Sequence, residues 1–406
     1  MAMSLELIGA IVVAISFLVS SIMFPIALRY AKKHNIVDNP NARKLQRVPV
    51  PVLGGAPVYI GILAAMIFGL VVMKTPIMWV TVGAMTVMLI IGTWDDIKDL
   101  PAIPRFLVEV LLVWVVMAIN GMYADSLHGL WRIESLNEYI ALPISLVAGV
   151  GIINAVNLID GVDGYSSSYG ILTNALFSIV FFVVGEYSFG LLALAASAAL
   201  IPFFFHNVFG KKSKMFFGDG GTLMLGVLMT SFVFALLSSK TNCASLENYG
   251  ISLVALAIAF LAIPVFDTLR VMSARIVRGK SPFHPDKTHL HHLFIDMGFS
   301  HIGASLSILL MQLIVILSWF LSWRLGASID AQFYVVVFLG ALVTFGFYRF
   351  MRIQQQGGPV DDDGIPVGSK LWQVITSIGR KTHWSNGKNW SFWARLMDSH
   401  FLSGEK

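Results

Sequence analysis

Runs of apolar residues follow one another along the whole chain, separated by short polar breaks. A helix that crosses a bilayer needs about 20 such residues. Eleven windows meet that need, near 6–28, 54–73, 76–94, 104–120, 138–156, 166–184, 188–205, 220–238, 250–270, 303–323 and 331–350. The pattern predicts an all-α polytopic membrane protein with about eleven transmembrane helices. The first window does not read as a secretory signal, because no basic residue precedes it while Arg29, Lys32 and Lys33 follow. That flank predicts an N-terminus outside and, with an odd number of spans, a C-terminus inside.

Composition agrees: 56% of the 406 residues are hydrophobic and 13% charged. One cysteine, Cys243, excludes an intrachain disulfide. The net charge of +5 does not point to nucleic acid. Under the predicted topology 24 of the 28 lysines and arginines fall inside, and only Lys74, Arg132, Lys240 and Arg324 outside. So lopsided a split supports the orientation.

The polar clusters fall on that same inner side. Asn154, Asn157, Asp160 and Asp163 recur every third residue, which on a helix forms one slowly drifting stripe. Gly161 and Gly164 loosen the backbone there. A polar stripe is expensive to bury in lipid, so it should face protein or a water-filled cleft. It reads as the floor of a site for a phosphate-bearing substrate and a divalent ion, or more plainly as a polar helix end followed by a turn.

Asp95, Asp96 and Asp99 form a second cluster, with Asp95 and Asp99 on one face and Asp96 turned about 100° away. Three acids this close repel unless a cation joins them. They read as a metal- or phosphate-handling patch, or as an exposed acidic loop. Arg105 and Glu109, at i and i+4, read as a structural pair.

Phe217-Gly-Asp219-Gly-Gly-Thr222 opens the eighth window. Its glycines allow backbone amides to approach a phosphate at a helix N-terminus, and Asp219 is an oxygen ligand for a hard cation. A glycine-rich turn with a helix cap is the plainer reading. The 270–302 segment reads as a long inner loop with Arg275, His289, His291 and His292. Asp286, His289 and His292 suggest a zinc site, but a lid that holds phosphates or sugar hydroxyls accounts better for the basic residues beside them.

Asp-Asp-x-x-Asp, Asn-x-x-Asn-x-x-Asp-Gly-x-Asp-Gly, Phe-x-Gly-Asp-x-Gly and His-x-His-His, in this order, resemble the polyprenyl-phosphate N-acetylhexosamine-1-phosphate transferases. Val37-Asp-Asn-Pro-Asn-Ala-Arg-Lys44 followed by Pro51-Val-Leu-Gly-Gly55 fits as well. The likeness runs from about residue 30 to 302. The His289-Leu-His291-His292 form is closer to the bacterial GlcNAc-1-phosphate branch than to the phospho-N-acetylmuramoyl-pentapeptide transferases.

The resemblance implies transfer of a sugar 1-phosphate from a UDP-sugar, here UDP-GlcNAc, to undecaprenyl phosphate, with release of UMP and with Mg²⁺ as cofactor. The product starts a lipid-linked cell-envelope glycan at the cytoplasmic face of the inner (plasma) membrane. By motif match Asn157 and Asp219 are the metal ligands. Asp95, Asp96, Asp160 and Asp163 are the catalytic set. Asn154, Lys44, Arg275, His289, His291 and His292 bind substrate. Whether the acceptor attacks directly or through a covalent aspartyl intermediate stays open. So does pairing as a homodimer.

One departure is Gln46, at a place where the family often has histidine. Residues 1–352 read as the transmembrane transferase domain and 353–406 as a cytoplasmic tail. In the tail, Gln354–Pro359 and Asp361–Gly364 read as a flexible linker, and Trp384, Trp390 and Trp393 sit beside basic residues, suited to a membrane interface or a partner. Within the resemblance the alternative is a phospho-N-acetylmuramoyl-pentapeptide transferase or use of another UDP-N-acetylhexosamine donor; the rival class is an ion-coupled transporter, which needs ionisable groups near midplane and reachable from both sides.

Overall fold

The computed structural model describes residues 4–40, 48–73, 79–282, 287–359, 366–383 and 388–402. It is an all-helical membrane protein. Among the described residues eleven helices are long and apolar enough to cross a bilayer. In chain order they are α1 (Leu5–Lys33), α2 (Gly55–Met73), α3 (Trp79–Lys98), α4 (Ala102–Asn120), α5 (Glu138–Asn157), α6 (Tyr165–Val183), α7 (Tyr187–Phe209), α8 (Gly218–Leu237) and α9 (Leu253–Val277). A short α10 (Leu290–Asp296) precedes α11 (His301–Arg324), and α12 (Ile329–Ala341) runs through a π-turn into α13 (Phe347–Gln356) as the eleventh span. Two tail helices follow, α14 (Lys370–Lys381) and α15 (Lys388–Leu402).

α8 is the axis of the bundle. It is apolar on every side, the mark of a helix with no lipid-facing surface, and 94% of its most apolar window is buried, against 22% for α4. Small residues bring its neighbours close. A Cβ on Gly55 of α2 would lie 2.5 Å from the Cα of Gly221, and one on Gly92 of α3 would lie 2.6 Å from the backbone of Asp219. Both approaches converge on the first turn of α8, where Asp219 sits.

Two devices position the ends of neighbouring helices. A two-residue antiparallel ladder joins β1 (Val37–Asp38) to β2 (Val50–Pro51). The strip after it reaches α8, because Phe216 donates its N–H to Pro51 O at 2.8 Å and Gly54 donates to Phe216 O at 3.0 Å. In α9, Pro264 has no N–H to give to Phe260 O. Gln312 of α11 repairs the gap: its Nε2 donates to Ala259 O and Phe260 O at 2.6 and 3.2 Å, and its Oε1 accepts from Ile263 N at 3.0 Å. Backbone groups left unpaired in hydrocarbon would cost several kcal/mol each, so this one buried glutamine secures the half of α9 that carries Asp267 and Arg270.

The predicted windows coincide with the spans to within a few residues in the middle of the chain. They stop short where charged residues sit within the last turns. α1 runs on to Lys33, α3 through Asp95, Asp96 and Lys98, and α9 to Val277. Conversely, the 154–163 stripe is not one helix. α5 ends at Asn157, and residues 158–164 turn back to Gly164, whose φ of +82° starts α6.

Candidate active site

The C-terminal ends of α3, α5, α7 and α9 and the N-terminal ends of α4, α6, α8 and α11 meet on one face. There Arg105 of α4 is the hub. Its Nη1 lies 2.5 Å from Asp95 Oδ2 and 3.3 Å from Asp219 Oδ2, and its Nε lies 3.6 Å from Glu109 Oε1. Asn154 donates to Glu109 Oε2 at 2.5 Å. Asn157 donates to Asp219 Oδ1 at 3.2 Å and to Thr222 Oγ1 at 3.1 Å. The motifs from four helices therefore share one network, and Arg105 and Glu109, which the spacing marked as a structural pair, lie inside it.

The acids hold different positions in this network. Asp95 has both oxygens engaged, by Arg105 and by Leu100 N–H at 2.7 Å. Asp96 caps α8 from outside, accepting from the N–H groups of Asp219 and Gly220 at 3.1 and 3.4 Å. The glycine-rich turn thus does not offer those two amides to a phosphate, contrary to the sequence reading. A side chain from another helix has taken them. Asp219 also has both oxygens engaged, by Asn157 and Arg105, but at 3.2 and 3.3 Å, and 37% of its side-chain surface is accessible although helices surround it.

Asp160 and Asp163 occupy the turn after α5. Asp160 accepts from Ser166 Oγ at 2.7 Å. Water reaches it, yet protein stands around it on all sides, as at the bottom of a cleft. Burial there, with the carboxylates of Asp219 and Asp163 nearby, pushes its carboxyl up to about 7. Asp163 is tied down by Lys214 Nζ at 2.6 Å and His301 Nδ1 at 3.1 Å, while its carbonyl accepts from Ser305 at 2.7 Å. Burial works against its charge, but the hydrogen bond from His301 and the charge of Lys214 outweigh it and hold the carboxyl below its ordinary value. Asp163 therefore anchors the turn to the α7–α8 connection and to α11.

The histidines pack beneath this turn. Asp267 of α9 accepts from His289 Nδ1 at 2.9 Å and from Arg270 at 2.6 Å, and Arg270 also donates to Thr288 O at 2.5 Å. The Arg270 guanidinium lies 3.7 Å from the ring centre of Tyr348. Among the described residues His289 Nε2 and the Tyr165 hydroxyl, both buried, meet no hydrogen-bond partner, beside a narrow crevice also lined by Asp267 and His291. His291 stands parallel to His289 at 5.8 Å and meets His292 at 4.2 Å. Burial first, then its two histidine neighbours, lower the His291 pKa well below the ordinary value, so the ring is neutral. Gly161 touches it: a Cβ there would sit 2.1 Å from His291 Nε2. That contact joins the histidine segment to the acidic turn.

Arg275 is buried and donates to Pro282 O at 2.6 Å. Lys44, Gln46 and Asp286 lie outside the described residues. No group of three or more histidine, cysteine, aspartate or glutamate side chains has metal-holding geometry among the described residues. Sequence reasoning missed Arg105, Glu109, Lys214, Asp267 and His301 as members of the site. Arg105, Glu109 and Asp267 were legible only as charges within or near apolar windows, a default sign of function in a membrane.

Eleven spans with a polar, carboxylate-rich floor at their common face define a multi-pass membrane protein built to handle charged groups. Residues 78–239 match the model of glycosyl transferase family 4. The chain is 30% identical over 301 residues to a probable undecaprenyl-phosphate N-acetylglucosaminyl 1-phosphate transferase of Bacillus subtilis (strain 168), covering 74% of this chain and 80% of the relative. It is 29% identical over 289 residues to the undecaprenyl-phosphate alpha-N-acetylglucosaminyl 1-phosphate transferase of Escherichia coli (strain K12), covering 70% and 76%. It is 28% identical over 334 residues to the enzyme of that name from Yersinia pestis, covering 82% and 88%. The chain belongs to this family, the polyprenyl-phosphate N-acetylhexosamine-1-phosphate transferases that its motifs resemble.

Proposed function

We propose that the protein transfers N-acetylglucosamine 1-phosphate from UDP-GlcNAc to undecaprenyl phosphate and releases UMP, at the cytoplasmic face of the plasma membrane. One observation carries the reading. Six carboxyl groups, those of Asp95, Asp96, Glu109, Asp160, Asp163 and Asp219, converge with Arg105, Lys214 and, when protonated, His301 as their described cationic partners. Two anionic reactants cannot meet on such a floor without added positive charge.

Mg²⁺ suits it, since that ion takes one or two protein oxygens and fills its remaining positions with water and substrate phosphates. Asp219 has an accessible carboxylate next to Asn157. A half-turn of the Asn157 amide would aim its oxygen at that carboxylate, which is favourable only across a cation. When bound, the ion would offset phosphate charge and that building on the departing UMP.

The chain's own residues do the rest. Arg105 fixes the orientation of Asp219 and Asp95. Asp96 and the close-packed glycines fix the start of α8. Asp163, through Lys214 and His301, holds the turn that carries Asp160. The neutral His291 suits sugar hydroxyls by hydrogen bonding rather than phosphate by charge. The acceptor is a phosphate monoester, mostly dianionic at neutral pH because its second pKa is about 6. It therefore attacks without a protein base. One of its oxygens bonds to the sugar-bearing phosphorus of the donor, the bond from that phosphorus to the bridging oxygen breaks, and UMP departs with the electron pair. Positioning and electrostatics supply most of the rate.

The test is incubation of the purified protein in lipid nanodiscs with undecaprenyl phosphate and a panel of radiolabelled UDP-sugars. Label from UDP-GlcNAc should enter organic-extractable lipid with stoichiometric UMP. Product from a different UDP-sugar alone would overturn the donor assignment, and no product from any would overturn the reaction.

A further inference from the structure

We infer that α14 is a membrane-surface helix that seats on anionic lipid headgroups and holds the histidine segment at the height of the bilayer surface. α14 divides into three sectors. One is docked: Trp372 and Gly379 are buried, and Gly379 faces Met297 O and Phe299. Next to it Leu371, Val374 and Ile378 form an apolar stripe, and all three are exposed, at 42%, 56% and 52%. At 100° per residue these three fall within about 60° of arc, and Lys370 and Lys381 border them. Gln373, Ser377 and Arg380 complete the turn as a polar sector.

A helix docked on its own protein and exposed to water elsewhere has no reason to segregate these exposed residues. A helix lying in the plane of the interface does: apolar side chains enter the acyl boundary and lysines at the edge reach phosphates. α15 repeats the arrangement. Ala394 and Asp398 are buried, with Asp398 accepting from Lys212 and Ser213 N–H at 3.0–3.2 Å, while Phe392 and Leu396 are exposed on the other side. The lysines select negatively charged headgroups, and the cytoplasmic leaflet supplies them. The inference rests on the proposed cytoplasmic placement only for that leaflet charge.

The consequence for the site runs through Thr382. Ser300 donates its N–H to Thr382 Oγ1 and its hydroxyl to Thr382 O, each at 2.9 Å. α14 therefore grips the junction of α10 and α11, directly after the segment that carries His289, His291 and His292.

The experiment uses full-length protein in nanodiscs of phosphatidylcholine with or without phosphatidylglycerol. Cys243, the only cysteine, is replaced by alanine so that one spin label can be placed at a time. Labels at 371, 374 and 378 should relax with oxygen and be shielded from an aqueous nickel chelate, and labels at 373 and 377 should do the reverse. Lys370→Glu with Lys381→Glu should reduce the immersed population about fivefold or more per lysine in anionic discs. It should change little in neutral discs. If 371, 374 and 378 all meet the nickel chelate as readily as 373 and 377, the inference is wrong. Shielding of the stripe from both reagents would mean that protein, not lipid, covers it, and would overturn it equally. The readout is independent of catalysis, so a failed transfer assay would leave it standing.

Discussion

Gly161→Ala tests whether the acidic turn and the histidine segment work as one unit. Gly161 does not occupy a positive φ, so alanine meets no backbone penalty there. What it meets is the His291 ring, with Nε2, Cε1 and Cδ2 at 2.1, 2.3 and 2.6 Å from the new Cβ. Ordinary contact begins at 3.4 Å, so ring and turn must part by about 1.3 Å, the difference between 3.4 and 2.1 Å. Neither yields easily. His291 is buried on α10, and the turn is pinned through Asp163 to Lys214 and His301. Misplacement of about 1 Å at a reacting site costs about 100-fold in rate, or about 2.7 kcal/mol of transition-state stabilisation. The assay is kcat/KM for label transfer into lipid, beside a thermal melt to confirm folding. The same substitution in a His291→Ala background removes the clash, and its further cost should shrink to about threefold or less. Wild-type kcat/KM in the single variant, or an undiminished loss in the double variant, would refute the reasoning.

Three other outcomes follow from the same geometry. Arg105→Met leaves Asp95 and Glu109, with 9% and 1% of their side-chain surfaces exposed, facing Asp219 without a counter-charge. Removing one partner of a buried pair costs about 3–5 kcal/mol, and with Arg105 itself 24% exposed the loss should be nearer ~2 kcal/mol after screening. Thermal melting would show it, Arg105→Lys should fall between, and an unchanged melt would contradict the hub.

Asp160 titrates near 7 when folded against an ordinary 3.8, so the cation-free folded protein holds the extra proton and loses stability as pH rises across that window. Asp160→Asn should flatten the melting temperature between those limits, and a profile superimposable on wild type would rule this out. With His289 proposed to bind substrate, Asp267→Asn should lower kcat by about 10–100-fold, the loss typical when a metal-held histidine loses its carboxylate partner, and Asp267→Glu should recover part of it. Equal, small losses in both would leave Asp267 without a positioning role.

The spans were legible because lipid imposes a single rule, a long apolar run. The gathering of the acids on one common face was legible from charge counting along the alternating windows. What could not be read was who pairs with whom. Arg105 and Glu109 look like a helix pair at i, i+4, and only the approach of α3, α5 and α8 turns them toward Asp219 and Asn154. The amides of the glycine-rich turn looked free because Asp96, which occupies them, is more than a hundred residues away. Of the two readings of Asn154–Asp163, the helix end followed by a turn is the one that forms, but nothing local shows that the turn pulls Asp163 aside to Lys214 and His301. The tail read as a linker with interfacial tryptophans. Of these, Trp384 lies outside the described residues, while Trp393 stacks on Phe205 of α7.

The central claim is that the accessible carboxylate at the start of α8 is the reaction centre. Its most direct test is the rate of lipid-product formation by Asp219→Asn, in nanodiscs, with donor and acceptor saturating, across a Mg²⁺ titration and with EDTA. Wild-type protein should give a rate that EDTA abolishes and Mg²⁺ restores. The variant should melt as wild type does yet fall by about 100–1,000-fold at every Mg²⁺ level, the size of effect seen when one preorganised electrostatic group is removed. A folded Asp219→Asn protein within about tenfold of the wild-type rate would contradict it.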